Sequence, residues 1–242
     1  MEPQPWFGHG LSKATLALRL RYRFSCRVNP EEIYLGVEMP SRWNFTLNGV
    51  PLSVTDCGQW CDSTIRKIRL PHLREGENLL EMGAEYGADS GLESLFLIGQ
   101  FGVDENDTLV SLPATLQSGD WRQQGFPYYA GNMAYKTYFE SSGESMMLNI
   151  SDWSGAALGI SLDKSPEILL GWPPYQLRLF PGKGAHELRI IVYGHRRNAL
   201  GPFYAEAHPY LITPRTFREQ VSSRKRTVPC GLVKITAIRE QA

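Results

Sequence analysis

Hydrophobic and polar residues alternate strictly from Leu16 to Val28, with apolar side chains at the even positions and mostly arginines at the odd ones. A period of two is typical of a half-buried β-strand, because successive side chains of an extended backbone point to opposite sides. The alternation returns near residues 33–39, 146–150, 158–162, 188–192 and 232–238, and turn residues such as Asn48-Gly49 and Ser142-Gly143 separate these segments. Helical periodicity is confined to a short stretch around Arg215–Ser222. The pattern predicts an all-β fold of antiparallel β-sandwiches.

A loose internal repeat predicts that the sandwich occurs twice. A chain of 242 residues can form two cores of about 100 residues each. We therefore predict a first sandwich over residues 1–110 and a second, with a C-terminal strand, over residues 111–242. The repeat aligns Tyr22-Arg23 with Tyr135-Lys136, Gly76–Leu80 with Gly184–Leu188, and Leu92–Phe96 with Leu200–Tyr204.

Charge and hydropathy exclude two classes of partner. The chain has 25 Lys and Arg and 25 Asp and Glu, so it lacks the cationic excess from which nucleic-acid binders gain affinity. The apolar run Leu95–Ile98 is far shorter than the roughly 20 residues of a membrane span. We expect no nucleic-acid and no membrane partner.

Since residues 1–5 show no secretory leader, we expect a cytoplasmic protein, or an extracellular or periplasmic one if this sequence is a fragment of a longer chain.

Several ordered motifs carry a resemblance to a known family. The segment Gly119–Lys136, GDWRQQGFPYYAGNMAYK, resembles the opening of the sugar-binding β-sandwich modules that accompany family 2 glycoside hydrolases and α-L-rhamnosidase-like enzymes. Gly171–Arg178, GWPPYQLR, is similar to the family's Trp-x-Pro-Tyr run, and Val192–Pro202 to its late strand and Asn-x-Leu-Gly-Pro turn. In the first half, Phe45–Val50 resembles the family's Asn-Gly hairpin and Leu92–Val103 a closing strand.

The resemblance implies two tandem jelly-roll, galactose-binding-like sandwiches that serve as a non-catalytic carbohydrate-binding or accessory region. The family's catalytic barrel takes about 250 residues, so this chain has no room for one beside the sandwiches. We expect no catalysis from the chain by itself; within an enzyme, the resemblance implies a glycoside hydrolase, whose catalytic domain would be a partner alongside carbohydrate. One departure is Ile160–Lys164, where the family's Asn-Gly hairpin is replaced by another turn.

Aromatic side chains in predicted loops are the candidate sugar contacts, because the apolar face of a sugar stacks on an aromatic ring. Sandwich cores also take large aromatic residues, so burial is the alternative for each of them. Asn198 joins the set from the turn that resembles the family's. The predicted ligand-binding residues are Trp121, Tyr128, Tyr129, Trp153, Trp172, Tyr175 and Asn198.

Other chemistry finds little support. A hydrolase would need two carboxyl groups about 5–9 Å apart, whereas loop carboxylates such as Asp120, Glu140, Asp152 and Asp163 are usually solvated or cap turns, so we predict no catalytic residues. Cys57 and Cys61 are open to two interpretations, free thiols or a disulfide. No metal-ligand spacing occurs, so we predict no cofactor, with one structural Ca²⁺ in a sandwich loop as the alternative.

Two rival functions stay open: a structural module that packs on a catalytic domain or partner subunit without binding sugar, and a small glycosidase or lyase on the sandwich itself.

Overall fold

A computed structural model describes residues 15–87, 90, 92–200, 203–204, 224–225 and 227–239. The predicted helical stretch Arg215–Ser222 lies outside these residues. The described residues fall into two compact units, the first ending at Leu112 and the second beginning at Pro113. Within the described ranges, no helix has the length and apolar character needed to cross a membrane.

The first unit consists of two sheets. Its strands are β1 (Leu16–Cys26), β2 (Ile33–Glu38), β3 (Asn44–Leu47), β4 (Val50–Pro51), β5 (Asp56–Trp60), β6 (Asp62–Arg69), β7 (Gly76–Tyr86), β8 (Phe96–Gly99), β9 (Gly102–Val103) and β10 (Thr108–Val110), with a 3₁₀ helix at Pro40–Arg42. One sheet has the order β4-β3-β7-β1-β10-β9 and the other β5-β6-β2-β8. All pairs are antiparallel except the short pairing of β1 with β10.

The alternating residues of both sheets meet in one core, as the sequence pattern predicts. Leu35 and Val37 of β2 pack in the same buried cluster as Phe45 of β3 and Met82 of β7. The Asn48-Gly49 pair forms the two-residue hairpin turn between β3 and β4, with φ angles of 53° and 81°. Such a turn needs positive φ at both positions, which asparagine and glycine tolerate best.

Within the described residues, the second unit is built from two four-stranded sheets and one two-stranded sheet. Its strands are β11 (Gly119–Asp120), β12 (Met133–Ser142), β13 (Met146–Ser154), β14 (Ala157–Leu162), β15 (Ile168–Leu170), β16 (Gln176–Leu179), β17 (Lys183–Tyr193), β18 (Phe203–Tyr204), β19 (Arg224–Lys225) and β20 (Gly231–Arg239), with a 3₁₀ helix at Trp121–Gln124 and a helix α1 at Arg197–Leu200. The sheets have the orders β11-β20-β13-β16 and β12-β17-β14-β15, and β18 pairs with β19. Their inner faces share a core that includes Leu148, Ile150, Ile160, Ile190 and Leu232.

The strand order of the first unit recurs in the second. The run β4-β3-β7-β1 corresponds to β15-β14-β17-β12, and β6-β2-β8 corresponds to β16-β13-β20. The structure thus confirms the predicted all-β fold of two successive, mainly antiparallel sandwiches. One segment of the sequence repeat is aligned wrongly: Leu200–Tyr204 does not take the place of β8, because β18 pairs with β19 while β20, which begins only at Gly231, pairs with β13.

Candidate functional site

Several loops lie at one end of the second sandwich. β12 begins at Met133 opposite Val192, near the end of β17, while β14 begins at Ala157 opposite Tyr193. β13 ends at Ser154 opposite Gly231, where β20 begins. These registers place the segments 125–132, 154–156, 171–175, 194–197 and 227–230 at the same end, which we call the loop end. It contains or adjoins all the predicted ligand-binding residues.

Trp121 lies beneath the loops and not on their surface. Its side chain is 1% exposed, and its indole Nε1 donates a 2.6 Å hydrogen bond to the Tyr135 hydroxyl. Two glycines, Gly194 and Gly231, allow the surrounding backbone to come close: a Cβ atom at either position would be 3.3 or 3.2 Å from the indole ring. Trp121 is therefore a core residue that supports the loop end from within.

An ion pair between Asp120 and Arg122 fixes the turn that carries Trp121. Asp120 caps the 3₁₀ helix by accepting from the Arg122 amide at 3.0 Å, and its other oxygen accepts from the Arg122 guanidinium. Arg122 also donates to the carbonyl of Thr227 at 2.8 Å, which ties this turn to the segment before β20. Burial acts to raise the pKa of Asp120, but the hydrogen bonds and charge of Arg122 outweigh it, so the pKa lies below its ordinary value.

Asn198 is likewise buried, with 2% of its surface exposed. Its side-chain amide donates to the Val228 carbonyl and accepts from the Val228 amide, both at 2.9 Å. Through these two hydrogen bonds, the Asn198 side chain connects helix α1 to the segment before β20. Asn198 is thus a buried link between these two segments, and its contact with a ligand stays a prediction.

Tyr128 is half-buried, while Tyr129 is 40% exposed at the edge of the loop end. The Tyr129 hydroxyl donates to the Asn132 carbonyl at 3.2 Å, and its ring meets Trp121 and Phe126 edge-on. Tyr129 can therefore present one face to solvent while the protein holds its edge.

Trp153 and Tyr175 form a second aromatic pair. Their ring centroids are 4.9 Å apart and the rings are nearly perpendicular, at 85°. Both side chains are half-buried against the second core. Trp172 lies in the same 171–175 segment as Tyr175 but is 79% exposed, and a cis peptide joins Pro173 to Pro174 between them. Of the predicted contacts, Trp172 offers by far the most accessible aromatic surface.

The candidate carboxylates have internal partners or lie in solvent. Asp163 accepts from His186 at 2.9 Å, Asp120 is paired with Arg122, and Glu140 and Asp152 are exposed. No group of three or more His, Cys, Asp or Glu side chains within the described ranges could hold a metal ion, and the structural Ca²⁺ stays a prediction.

None of the four cysteines is in a disulfide in the structure. Cys26 and Cys230 are buried, and burial raises the pKa of each to about 11. Cys57 is exposed and Cys61 is half-buried. Of the two interpretations left open for Cys57 and Cys61, the structure has the reduced thiols and not the disulfide.

The sequence reasoning missed a group of polar and aromatic residues on the outer face of sheet β12-β17-β14-β15. Tyr138 is 73% exposed there and donates to Glu187 at 2.8 Å, and Tyr193 donates to Glu167 at 2.5 Å. The alternation of β12 and β17 could have assigned Tyr138, Glu187 and Tyr193 to this face, because they alternate with the core residues.

Comparisons with known proteins were made at the level of sequence families, curated proteins and solved structures. No protein-family model and no curated protein matches this chain. Among solved structures, the chain is similar to the apo form of the Pleurotus ostreatus lectin (POL), with 10% identity, a TM-score of 0.26, and coverage of 74% of this chain and 68% of that chain.

Proposed function

We propose that the loop end of the second sandwich binds carbohydrate without catalysis, with Trp172 as the stacking surface. The observation that carries this proposal is the 79% exposure of a tryptophan in a loop of a sandwich. Contact with a sugar would remove part of this apolar ring from water, which is favourable. An exposed indole suits the apolar face of a sugar ring, whose hydroxyls can then bond to neighbouring polar groups.

The surrounding residues support an ordered site. Trp153 packs edge-on against Tyr175 of the 171–175 segment. Asp120, Trp121 and Asn198 fix the adjoining turns through the hydrogen bonds described above. A preorganised loop loses less conformational entropy on binding than a mobile one. In this proposal Trp172, Tyr175, Trp153 and Tyr129 adjoin the sugar, while Trp121 and Asn198 support them.

The resemblance in the sequence leads us to propose further that the sandwiches serve as an accessory region of a glycoside hydrolase. The chain would then bring a catalytic domain to its carbohydrate substrate and contribute no catalytic carboxylates. Expression of the neighbouring coding sequence tests this part: a catalytic barrel that copurifies with this chain supports it, and an unrelated product that does not bind contradicts it.

A glycan array with the purified chain tests sugar binding, with Trp172→Ala and Phe180→Ala as matched variants. Phe180 is a suitable control because it is 74% exposed but follows β16, at the end of the strand away from the loop end. We expect wild type and Phe180→Ala to retain the same glycans and Trp172→Ala to lose them. A folded wild-type protein that retains no glycan contradicts the proposal.

A second candidate function is docking to a protein, and edge strand β15 favours it. Ile168 and Leu169 are 47% and 63% exposed, and Trp172 follows two residues after the strand. An exposed apolar edge strand is a surface that another chain can cover. Sedimentation velocity distinguishes the two functions: self-association that Leu169→Lys abolishes, without glycan retention, would favour docking.

A further inference from the structure

Six residues form a polar and aromatic surface on the outer face of sheet β12-β17-β14-β15, which we call the tyrosine face. They are Lys136, Tyr138, Glu167, Glu187, Arg189 and Tyr193. On β12 and β17 these positions alternate with residues that pack into the core, such as Tyr135, Leu188 and Val192. The face is open to solvent, since Tyr138 is 73% exposed and the Lys136 and Arg189 side chains are 54% and 39% exposed.

Two similar arrangements of tyrosine, glutamate and cation lie on this face. Tyr138 is directly opposite Glu187 in the pairing of β12 with β17, and its hydroxyl donates to Glu187 at 2.8 Å while Lys136 Nζ lies 3.5 Å from the same carboxylate. Tyr193 donates to Glu167 at 2.5 Å, and the second oxygen of Glu167 lies 4.0 Å from Arg189. Each tyrosine ring is thus anchored through its hydroxyl.

Gly159 makes the second arrangement possible. Glu167 precedes β15, and its side chain crosses β14 at Gly159 to reach Tyr193 and Arg189 on β17. A Cβ atom at position 159 would overlap the Glu167 carboxylate. A glycine at this point of a central strand gives no side-chain packing, but it lets the carboxylate lie on the sheet. The backbone at Gly159 therefore leaves space for the Glu167 carboxylate on the tyrosine face.

The charge balance of the face indicates the chemistry of its ligand. Glu167 and Glu187 are offset by Arg189 and Lys136, so the face favours neither an anion nor a cation. Beyond the contacts above, neither cation bonds to another described side chain, which leaves N–H donors beside carboxylate acceptors and two aromatic rings. Hydroxyl groups both donate and accept, so a neutral polyhydroxylated ligand matches this surface.

The extent of the face indicates a chain longer than one sugar. Glu187 and Tyr193 are six residues apart on β17, which corresponds to about 20 Å along an extended strand. Both units have cross-strand ion pairs on this sheet, which in the first unit include Arg21 with Glu81 and Arg23 with Glu77. Aromatic residues bonded to carboxylates are a feature of the second unit's sheet.

We infer that the tyrosine face binds an extended neutral polysaccharide, separately from the loop end. The inference rests on the proposed function, because it assumes that the second sandwich binds carbohydrate. It assigns Tyr138 as the exposed stacking ring, with Glu167, Glu187 and Arg189 bonding to sugar hydroxyls along the chain.

Affinity electrophoresis tests the inference in gels that contain hydroxyethylcellulose, galactomannan or glycogen, with alginate and heparin as anionic probes. We expect a neutral polysaccharide to retard the wild type, Tyr138→Ala to weaken that binding about fivefold, and Tyr138→Phe to weaken it less because the ring remains. Phe180→Ala is the matched exposed aromatic control and should bind like the wild type.

The possible failures are distinguishable. If Trp172→Ala removes binding to the neutral probes but Tyr138→Ala does not, the proposed function stands and the tyrosine face is excluded. Stronger retardation by alginate or heparin than by the neutral probes overturns the inference. Self-association that Tyr138→Ala abolishes, without retardation by any polysaccharide, assigns the face to a protein partner and overturns the inference, while the glycan array decides the proposed function separately.

Discussion

His186 Nδ1 lies 2.9 Å from a carboxylate oxygen of Asp163, which joins the β14–β15 turn to β17. The other ring nitrogen, Nε2, lies 2.8 Å from the Gly182 carbonyl. Both partners are hydrogen-bond acceptors, so the imidazolium form, with a proton on each ring nitrogen, satisfies both contacts. The hydrogen bond to Asp163, followed by that to Gly182, raises the pKa of His186 above its ordinary value. The hydrogen bond from His186, followed by that from the Glu187 amide, lowers the pKa of Asp163.

The pH dependence follows from these directions. The stability contributed by His186 is complete below its unfolded pKa of about 6.5 and is lost as the pH rises through the raised folded value. That of Asp163 is present above about pH 3.9 and is lost on further acidification. NMR titration of the His186 ring should show a raised pKa that Asp163→Asn reduces; an equal pKa in both proteins would contradict the pairing.

Tyr135→Phe should destabilise the second unit by about 1–3 kcal/mol, because it leaves the buried Trp121 Nε1–H without an acceptor. Tyr138→Phe on the same strand is the matched control: its hydroxyl bonds to Glu187 on an exposed face, so we expect a change within about 0.5 kcal/mol. Urea denaturation followed by tryptophan fluorescence measures both. Equal effects of the two variants would show that the Trp121–Tyr135 bond does not stabilise the loop end.

Gly231→Ala should destabilise the second unit by at least about 2 kcal/mol. Its φ is +150°, and a Cβ atom would overlap the carbonyl oxygen of Gly119 on the neighbouring strand, which cannot move aside as a flexible side chain could. Gly182→Ala is the control, because nothing lies within 4 Å of its Cβ position. Thermal unfolding should separate the two variants by several degrees; indistinguishable midpoints would be incompatible with the close approach at Gly231.

The thiols should react in two classes with Ellman's reagent at pH 8. Cys57 is exposed and Cys61 half-buried, so both should react in the folded protein. Cys26 and Cys230 are buried, with pKa values raised to about 11, and should react only after denaturation. Cys57→Ser should remove one of the two fast equivalents. Four fast equivalents in the folded chain would refute this burial.

The strands could be predicted from the sequence because alternation reports directly on which face is buried. The alternating segment Leu16–Cys26 is β1. Asn48-Gly49 forms the hairpin turn between β3 and β4, because only a few residues tolerate the required φ angles. The place of β20 could not be predicted in the same way. β20 pairs with β13, which is distant in sequence, and several strands have a similar alternating pattern. The sequence repeat therefore aligns Leu92–Phe96 with residues 200–204 and not with β20.

The candidate site was less predictable, because a loop aromatic has the same local signature whether it is buried or exposed. Trp121 and Trp172 both have a glycine nearby in the sequence, yet the first is 1% exposed and the second 79%. Contacts with Tyr135, Gly194 and Gly231, distant in sequence, decide the burial of Trp121. The tyrosine face was missed for a related reason, since Glu167 reaches Tyr193 only by crossing another strand.

Isothermal titration with a glycan retained on the array tests the central claim, that the loop end binds carbohydrate through Trp172. The wild type and Phe180→Ala should bind with equal affinity, while Trp172→Ala should lose at least about tenfold, or about 1.4 kcal/mol. Circular dichroism should show the same fold for all three proteins, since Trp172 and Phe180 are both exposed. Equal affinity of Trp172→Ala and the wild type would contradict the account.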